Sequence, residues 1–293
     1  MTKVNSTPLI LNGREVANEV LKVIKDYLYT LKSQNKRIPG LAVILVGENP
    51  ASHTYVKNKV KTCNDLGIYS EVHQLSANIS EFDLVKLIHS LNKNQSIDGV
   101  LIQLPLPNHI RTDKVMEELD PNKDIDGLHP QNLGKLVSSQ ECLKPCTPLG
   151  VIQILKHYSI NISGLNCVII GRSTLVSKPL AFMFLRENAT VTITHSKTVD
   201  IENISRSGDI LVSATGKANL VKKDWVKQGA IVIDVGINRI FQNNEPKLVG
   251  DVDFESVSQV CKAITPVPGG VGPVTIAMLM SNTLEAYKMR TNL

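Results

Sequence analysis

The sequence predicts an α/β protein of two domains with largely parallel sheets. Three observations carry this. Short apolar runs alternate with amphipathic stretches of helical period almost throughout the chain. The length, 293 residues, is more than one ordinary hydrophobic core organises. One run, Val168-Ile169-Ile170-Gly171-Arg172-Ser173, passes from an apolar strand through a polar turn toward a helix, as the first half of a βαβ unit does.

Taken in order, Val16, Val20, Val23, Ile24, Tyr27, Leu28 and Leu31 fall at helical spacing within residues 14–34. Leu41 to Val46 reads as a buried strand and Glu48-Asn49-Pro50-Ala51 as a loop. Ser52 is the expected cap of a helix that runs to about Leu66 and is closed by Gly67. Ser80 is expected to cap a second helix, roughly Glu81 to Leu91. Gly99 to Leu104 is the next strand, stopped by Pro105 and Pro107; a short helix around Asp113 to Leu119 and a loop over 120–127 follow. Thr147-Pro148 combines a cap with a proline suited to a first helical position, so a helix over about 148–158 is expected to link the domains. Strands near 166–171, 190–194, 209–213 and 230–235 come next, with Asn243-Asn244-Glu245-Pro246 as a turn between two short strands. The stretch Pro266 to Pro273 leads into a last helix, Val274 to about Met289, expected to return to the first domain. The expected domains are therefore 1–147 with 274–293, and 148–273.

Composition excludes several classes. Hydrophobic residues make up 42% and charged residues 20%, as in a soluble globular protein. The net charge of +5 is scattered, and aromatics are only 4%, so neither a basic stripe nor a base-stacking platform for nucleic acid is present. Apolar runs are too short to span a bilayer, and Met1 to Asn12 lacks the order of a signal peptide, so no membrane partner is expected. Five cysteines without C-x-x-C spacing predict neither a zinc site nor a disulfide framework, and they suit a reduced, cytoplasmic setting. No histidine spacing signals a metal.

The chemistry concentrates in a few segments. The turn at Gly171 can present helix N-terminal amides to a phosphate. Sites that prefer NAD usually carry an acidic residue about 20 residues further on. Here the strand Thr190 to Thr194 ends in His195-Ser196-Lys197 with no carboxylate; Ser196 and Lys197, with Arg172, suit a ribose bearing an extra phosphate, which points to NADP. Tyr55 and Lys59 share a helix face beside an apolar stripe of Val56, Val60 and Cys63, which sets Lys59 at a core edge. Partial burial lowers a lysine's pKa and suits it to proton exchange; the same spacing is also that of an exposed lysine lying along a tyrosine. Gln103, at a strand's carboxyl end, can bond a lysine, a water or a substrate carbonyl, or simply loop backbone. Asp124 and Asp126 can hold an amidine-like heterocycle edge or can form Asx-turns. Pro268-Gly269-Gly270-Val271-Gly272-Pro273 is a stiff, close-approaching loop suited to a flat ligand.

Together these segments resemble the bifunctional methylenetetrahydrofolate dehydrogenase/methenyltetrahydrofolate cyclohydrolase family. The carriers, in the family's order, include Tyr55-Val-Lys-Asn-Lys59, Gly99-Val-Leu-Ile-Gln-Leu-Pro-Leu-Pro107, Asp124-Ile-Asp-Gly127, Pro145-Cys-Thr-Pro148, Gly171-Arg-Ser173, Asp234-Val-Gly-Ile-Asn238 and Pro266-Val-Pro-Gly-Gly-Val-Gly-Pro273. The resemblance implies an N-terminal α/β catalytic domain and a Rossmann-like nucleotide-binding domain with a folate cleft between them, in a homodimer. It implies oxidation of 5,10-methylenetetrahydrofolate with NADP and hydrolysis of the methenyl product to 10-formyltetrahydrofolate. By position, it makes Lys59 the proton-handling residue, oriented by Gln103; Tyr55 would stack on the folate and Asp126 would hold the pterin edge. It implies that Gly171, Arg172, Ser173, Ser196, Ile237 and Thr275 bind the cofactor, and that Pro268, Gly269 and Gly270 border the substrate. One position departs from the pattern: Ser177 stands where the family usually has glycine, and its side chain either displaces the helix start or adds a hydroxyl bond there. A dehydrogenase of small hydroxy acids on a similar two-domain plan is the alternative reading; the Tyr55–Lys59 pair and the Gly-Gly-Val-Gly loop count against it.

Overall fold

The computed structural model describes residues 7–242 and 245–291. In chain order the elements are β1 (Leu9–Ile10), α1 (Gly13–Ser33), β2 (Gly40–Val46), α2 (Pro50–Leu66), β3 (Tyr69–Leu75), α3 (Glu81–Lys93) and β4 (Gly99–Ile102). Then come α4 (Thr112–Glu117), α5 (Pro130–Val137), α6 (Cys146–His157), β5 (Asn166–Ile170), α7 (Ser177–Arg186), β6 (Thr190–Thr194), α8 (Ile201–Arg206) and β7 (Ile210–Ser213). The chain closes with β8 (Ile231–Asp234), β9 (Asn238–Gln242), β10 (Glu245–Val249), α9 (Phe254–Val257), β11 (Ala263–Ile264) and α10 (Val271–Thr291). Two compact units result: one holds Asn18–Cys146 and the residues from Ile276 onward, the other the residues up to Ala17 and Thr147–Thr275.

The first unit is built on a parallel sheet of order β3-β2-β4. Central β2 is Gly-Leu-Ala-Val-Ile-Leu-Val and buried throughout, as a strand covered on both faces must be. Ala42, Ile44 and Val46 of β2 and Val100 and Ile102 of β4 pack against Leu84, Ile88 and Leu91 of α3. At the start of α3 the Ser80 hydroxyl accepts from the Asp83 N–H, as expected. At its end the buried Lys123 ammonium donates to the carbonyls of Leu91 and Asn94, at 2.7 and 2.8 Å, in addition to the backbone amides those oxygens accept. Burial, with the Arg290 charge next, pulls the Lys123 pKa down to about 8. Because β3 and β4 lie on opposite sides of β2, the connections diverge between β2 and β4, and this sheet has its switch point there.

The second unit carries a parallel sheet of order β1-β11-β8-β7-β5-β6. Its connections diverge between β5 and β7. Val168 and Ile170 of β5, Leu211 of β7, Val232 of β8 and Ile264 of β11 share one core with Val221, Val252 and Val257. β9 and β10 pair antiparallel, and the turn expected at Asn243-Asn244 lies outside the described residues.

Several expectations are corrected. Ser52 is not a cap: α2 begins at Pro50, and the Asn49 side chain accepts from the Ser52 N–H at 3.2 Å, so asparagine caps and proline takes the first helical position. α5 was not foreseen; the His129 ring accepts from the Gln131 N–H and Pro130 opens the helix. The last helix starts at Val271, so Gly272 and Pro273 belong to its first turn and the open loop shrinks to Pro268–Gly270. β1 pairs with β11, and this pairing sets the described residues before Asn18 with the six-stranded sheet.

Candidate active site

In the first unit the site grows from the carboxyl edge of β2 and β4. The Gln103 N–H donates to Ile44 O, which extends the β4 pairing by one residue and fixes the glutamine backbone. Its side-chain Nε2 donates to Leu104 O at 2.8 Å, which turns Oε1 toward α2. There Oε1 accepts from Lys59 Nζ at 3.1 Å. Lys59 is half-buried, with Val56 and Cys63 of the same helix fully in the core; Val60 is half-buried. Tyr55, one turn earlier on α2, is 41% exposed, which leaves its ring available to a flat partner.

The loop after α4 docks alongside β4. The Val100 N–H donates to Lys123 O, and Val100 bridges Asp124 in parallel register. Asp124 is buried; its Oδ2 accepts from the His129 N–H at 2.8 Å and the Asn132 amide at 2.9 Å, so it organises the approach to α5. Burial raises its pKa despite those bonds. Asp126, in the same loop, is half-buried. The neighbouring Cys146 thiol is pushed well up, by burial first and by the Asp126 charge second, while the Lys59 charge opposes. Lys59 and Asp126 thus both act on one buried thiol, and Gln103 joins them through Lys59.

In the second unit the corresponding edge is made largely of backbone. Gly171 ends β5 at φ +136°, and a Cβ there would lie 2.5 Å from Ala214 O and 2.7 Å from Ser177 Oγ. Only glycine fits that turn. The Gly171 N–H donates to Thr194 O, which ties the turn to the end of β6 and brings the exposed Arg172 and the Ser196 segment to one sheet edge. The Ser173 hydroxyl accepts from the amides of Val176 (3.1 Å) and Ser177 (3.4 Å), so it shapes the start of α7. Ser177 itself is buried, and its hydroxyl has no hydrogen-bond partner among the described residues. Ile237 is 45% exposed after β8, and the Thr275 hydroxyl lies 3.2 Å from that of Thr147. Pro268, Gly269 and Gly270 precede α10 in this unit; a Cβ on Gly270 would fall 2.5 Å from Pro266 O. This donor set suits NADP: a cradle that a Cβ would fill, beside an exposed guanidinium and hydroxyl.

Two acids behind this edge escaped the sequence reading as functional groups. Asp251, fully buried, accepts from the amides of Thr215 (2.6 Å) and Gly216 (3.2 Å) and from the Asn238 side chain (2.9 Å). Asp234 accepts from the amides of Gly236, Asp251 and Val252. Burial raises Asp234 to about 7 against the pull of those amides. The signal that marks them is glycine: a Cβ on Gly250 would lie 1.8 Å from Asp234, and one on Gly236 2.1 Å from Asp251. Among the described residues no group of three or more His, Cys, Asp or Glu side chains is arranged to hold a metal, and no helix is long and apolar enough to cross a membrane.

Comparison with known proteins bears on the same two regions. Residues 11–126 match the model of the tetrahydrofolate dehydrogenase/cyclohydrolase catalytic domain, and residues 145–291 that of its NAD(P)-binding domain. The chain is 49% identical over 281 residues to the bifunctional protein FolD of Nitratiruptor sp., covering 96% of this chain and 98% of that one. It superposes with a TM-score of 0.93 on the crystal structure of the bifunctional FolD dehydrogenase/cyclohydrolase of Campylobacter jejuni, at 48% identity over 96% of this chain and 99% of that one. The Trypanosoma brucei methylenetetrahydrofolate dehydrogenase-cyclohydrolase, solved with NADP and an inhibitor, matches at 36% identity and a TM-score of 0.93, covering 98% of this chain and 99% of that one. Sequence motifs, fold and full-length similarity agree, and the chain belongs to the tetrahydrofolate dehydrogenase/cyclohydrolase family.

Proposed function

We propose that this chain oxidises 5,10-methylenetetrahydrofolate with NADP and hydrolyses the methenyl product to 10-formyltetrahydrofolate, with Lys59 as the proton-handling residue of the hydrolysis. The observation that carries the assignment is the 3.1 Å bond from Lys59 Nζ to Gln103 Oε1 at the carboxyl edge of β4. The methenyl cation is already electrophilic, so a residue need only aim a water and move its proton. Water adds to the methenyl carbon as one of its protons passes toward the Lys59 amine; the bond from that carbon to N5 then breaks as N5 takes up a proton and the added hydroxyl loses its remaining one, leaving the formyl group on N10. Gln103 holds Nζ in place through an oxygen whose direction is fixed by Leu104 O. Asp126 accepts from the amidine-like edge of the pterin, and Tyr55 stacks on the folate. NADP, when bound, supplies the hydride acceptor.

Arg172 and Ser196 hold the ribose 2′-phosphate, and Gly171, Ser173, Ile237 and Thr275 line the rest of the cofactor. Pro268, Gly269 and Gly270 border the substrate. The reading extends to a cytoplasmic homodimer; sedimentation is expected to give a species of twice the chain mass, and a species of one chain mass would contradict it. Parallel absorbance assays with NADP and NAD, on the wild type and on Arg172→Ala, test the cofactor assignment. The expected result is a loss of NADP affinity of about tenfold or more with NAD hardly changed, the size of a lost charged hydrogen bond. Equal losses for both cofactors contradict it.

A further inference from the structure

We propose that Asn282 is a positioning residue for folate recognition, acting through Asp126. The inference rests on the reading of Asp126 as the group that holds the pterin edge. Asn282 lies on α10 and is 5% exposed. Its Nδ2 has two protons, and they go to two carbonyls, Ile125 O and Lys144 O, each at 2.8 Å. The Cys146 thiol, 3.5 Å from Nδ2, donates to the same Ile125 oxygen at 3.2 Å. One side-chain amide therefore clamps the loop that carries Asp126 to the segment that enters α6.

The two clamped segments touch backbone to backbone. Gly127 sits at φ +70°, and a Cβ there would fall 2.3 Å from the Lys144 carbonyl carbon and 2.4 Å from Pro145 N. The Ile125 side chain rests on Gly99 of β4, where a Cβ would lie 2.5 Å from Ile125 Cγ2. The loop is thus pinned from one side by the sheet and from the other by Asn282. The consequence for Asp126 is direct. The Ile125 carbonyl shares a rigid peptide plane with the Asp126 nitrogen and Cα, so holding that oxygen sets where the Asp126 side chain departs from the backbone. Free rotation of that plane would move the carboxylate relative to Lys59 and Gln103, whose positions are set by α2 and β4. A displacement of about 1 Å at such a group is enough to cost up to about a hundredfold in function.

The test is a double-mutant cycle between Asn282→Leu and Asp126→Ala, read as folate KM, hydrolysis kcat and NADP Kd, with Asn282→Ser as a milder variant that keeps one donor. Asn282→Leu is expected to raise folate KM about tenfold, Asn282→Ser about threefold, with kcat changed by less than about threefold and NADP Kd unchanged. In the Asp126→Ala background both Asn282 substitutions add almost nothing to KM. If Asp126→Ala raises KM but the Asn282 substitutions multiply it by the same factor in both backgrounds, Asn282 serves only the fold and the inference falls. If Asp126→Ala leaves KM unchanged, the reading of Asp126 falls and takes the inference with it. Should Asn282→Leu fail to fold, Asn282→Ser completes the cycle with the same outcomes.

Discussion

At the carboxyl edge of the three-stranded sheet the atoms we propose to work belong to side chains; at the carboxyl edge of the six-stranded sheet many belong to backbone. Both edges are switch points of parallel sheets, where diverging connections leave strand ends open. In the first, Lys59, Gln103 and Asp126 come from a helix, a strand end and a loop; Gln103 bonds Lys59, and Lys59 and Asp126 both act on the Cys146 thiol. In the second, Gly171 admits no Cβ, and Asp251 and Asp234 hold the amides of the loops after β7 and β8 from behind. The difference teaches where each site is fragile. A side-chain site fails when a functional group is deleted; a backbone site fails when an atom is added.

The sharpest way to break this contrast is therefore an addition. Gly171→Ala forces a Cβ into Ala214 O and keeps φ at a value alanine disfavours. NADP affinity is expected to fall about a hundredfold or more, the equivalent of ~3 kcal/mol. Hydrolysis of supplied methenyltetrahydrofolate should persist, and titration calorimetry beside an absorbance assay reads both. The matching deletion is Gln103→Leu, which removes the acceptor of Lys59. Hydrolysis kcat is expected to drop about tenfold to a hundredfold with NADP affinity intact; an unchanged kcat would detach Gln103 from the chemistry.

The buried acids offer a pH version of the comparison. The folded-state pKa of Asp234 is raised to about 7 from an ordinary value near 4, so the folded protein keeps a proton that the unfolded chain releases. Its contribution to stability is complete below about pH 4 and is lost as pH rises through 7. Asp234→Asn should flatten the fall in denaturant midpoint between pH 4 and 7, by about 3 kcal/mol in free energy. A slope identical to the wild type's would show that Asp234 ionises freely in the folded chain. The smallest effect is expected at Ser177, whose buried hydroxyl lacks a partner. Ser177→Ala keeps the Cβ and removes the orphan, and should stabilise the chain by about 1 kcal/mol with NADP affinity unaltered. Tighter NADP binding by the serine form would show instead that the hydroxyl reaches the cofactor.

The same contrast explains what the sequence made legible. Strands such as Leu41–Val46 and Val168–Ile170 are contiguous apolar runs whose fate depends on local pattern, and they fold as read. β1 and β11 have two residues each and exist because distant partners complete a sheet, a signal no local window holds. α5 is short and contains Gly134, which weakens its helical pattern, and it is set by the Asp124 bonds behind it. Asn49 and Ser52 are both good caps; the proline between them decides for Asn49. Lys59 and Gln103 could be singled out because their chemistry is in the residue type, and the fold joins them by one bond. Asn282 was not, since its use lies in two carbonyls more than a hundred positions away. Asp251 was hidden because two of its partners are backbone amides of a loop that only the fold brings to it.

One preparation tests the division of labour most directly. On Lys59→Met, NADP Kd is measured by fluorescence titration and methenyltetrahydrofolate hydrolysis by absorbance. Kd within about twofold of wild type together with hydrolysis reduced about a hundredfold or more is the expected result. Hydrolysis at the wild-type rate would contradict the assignment of the chemistry to Lys59.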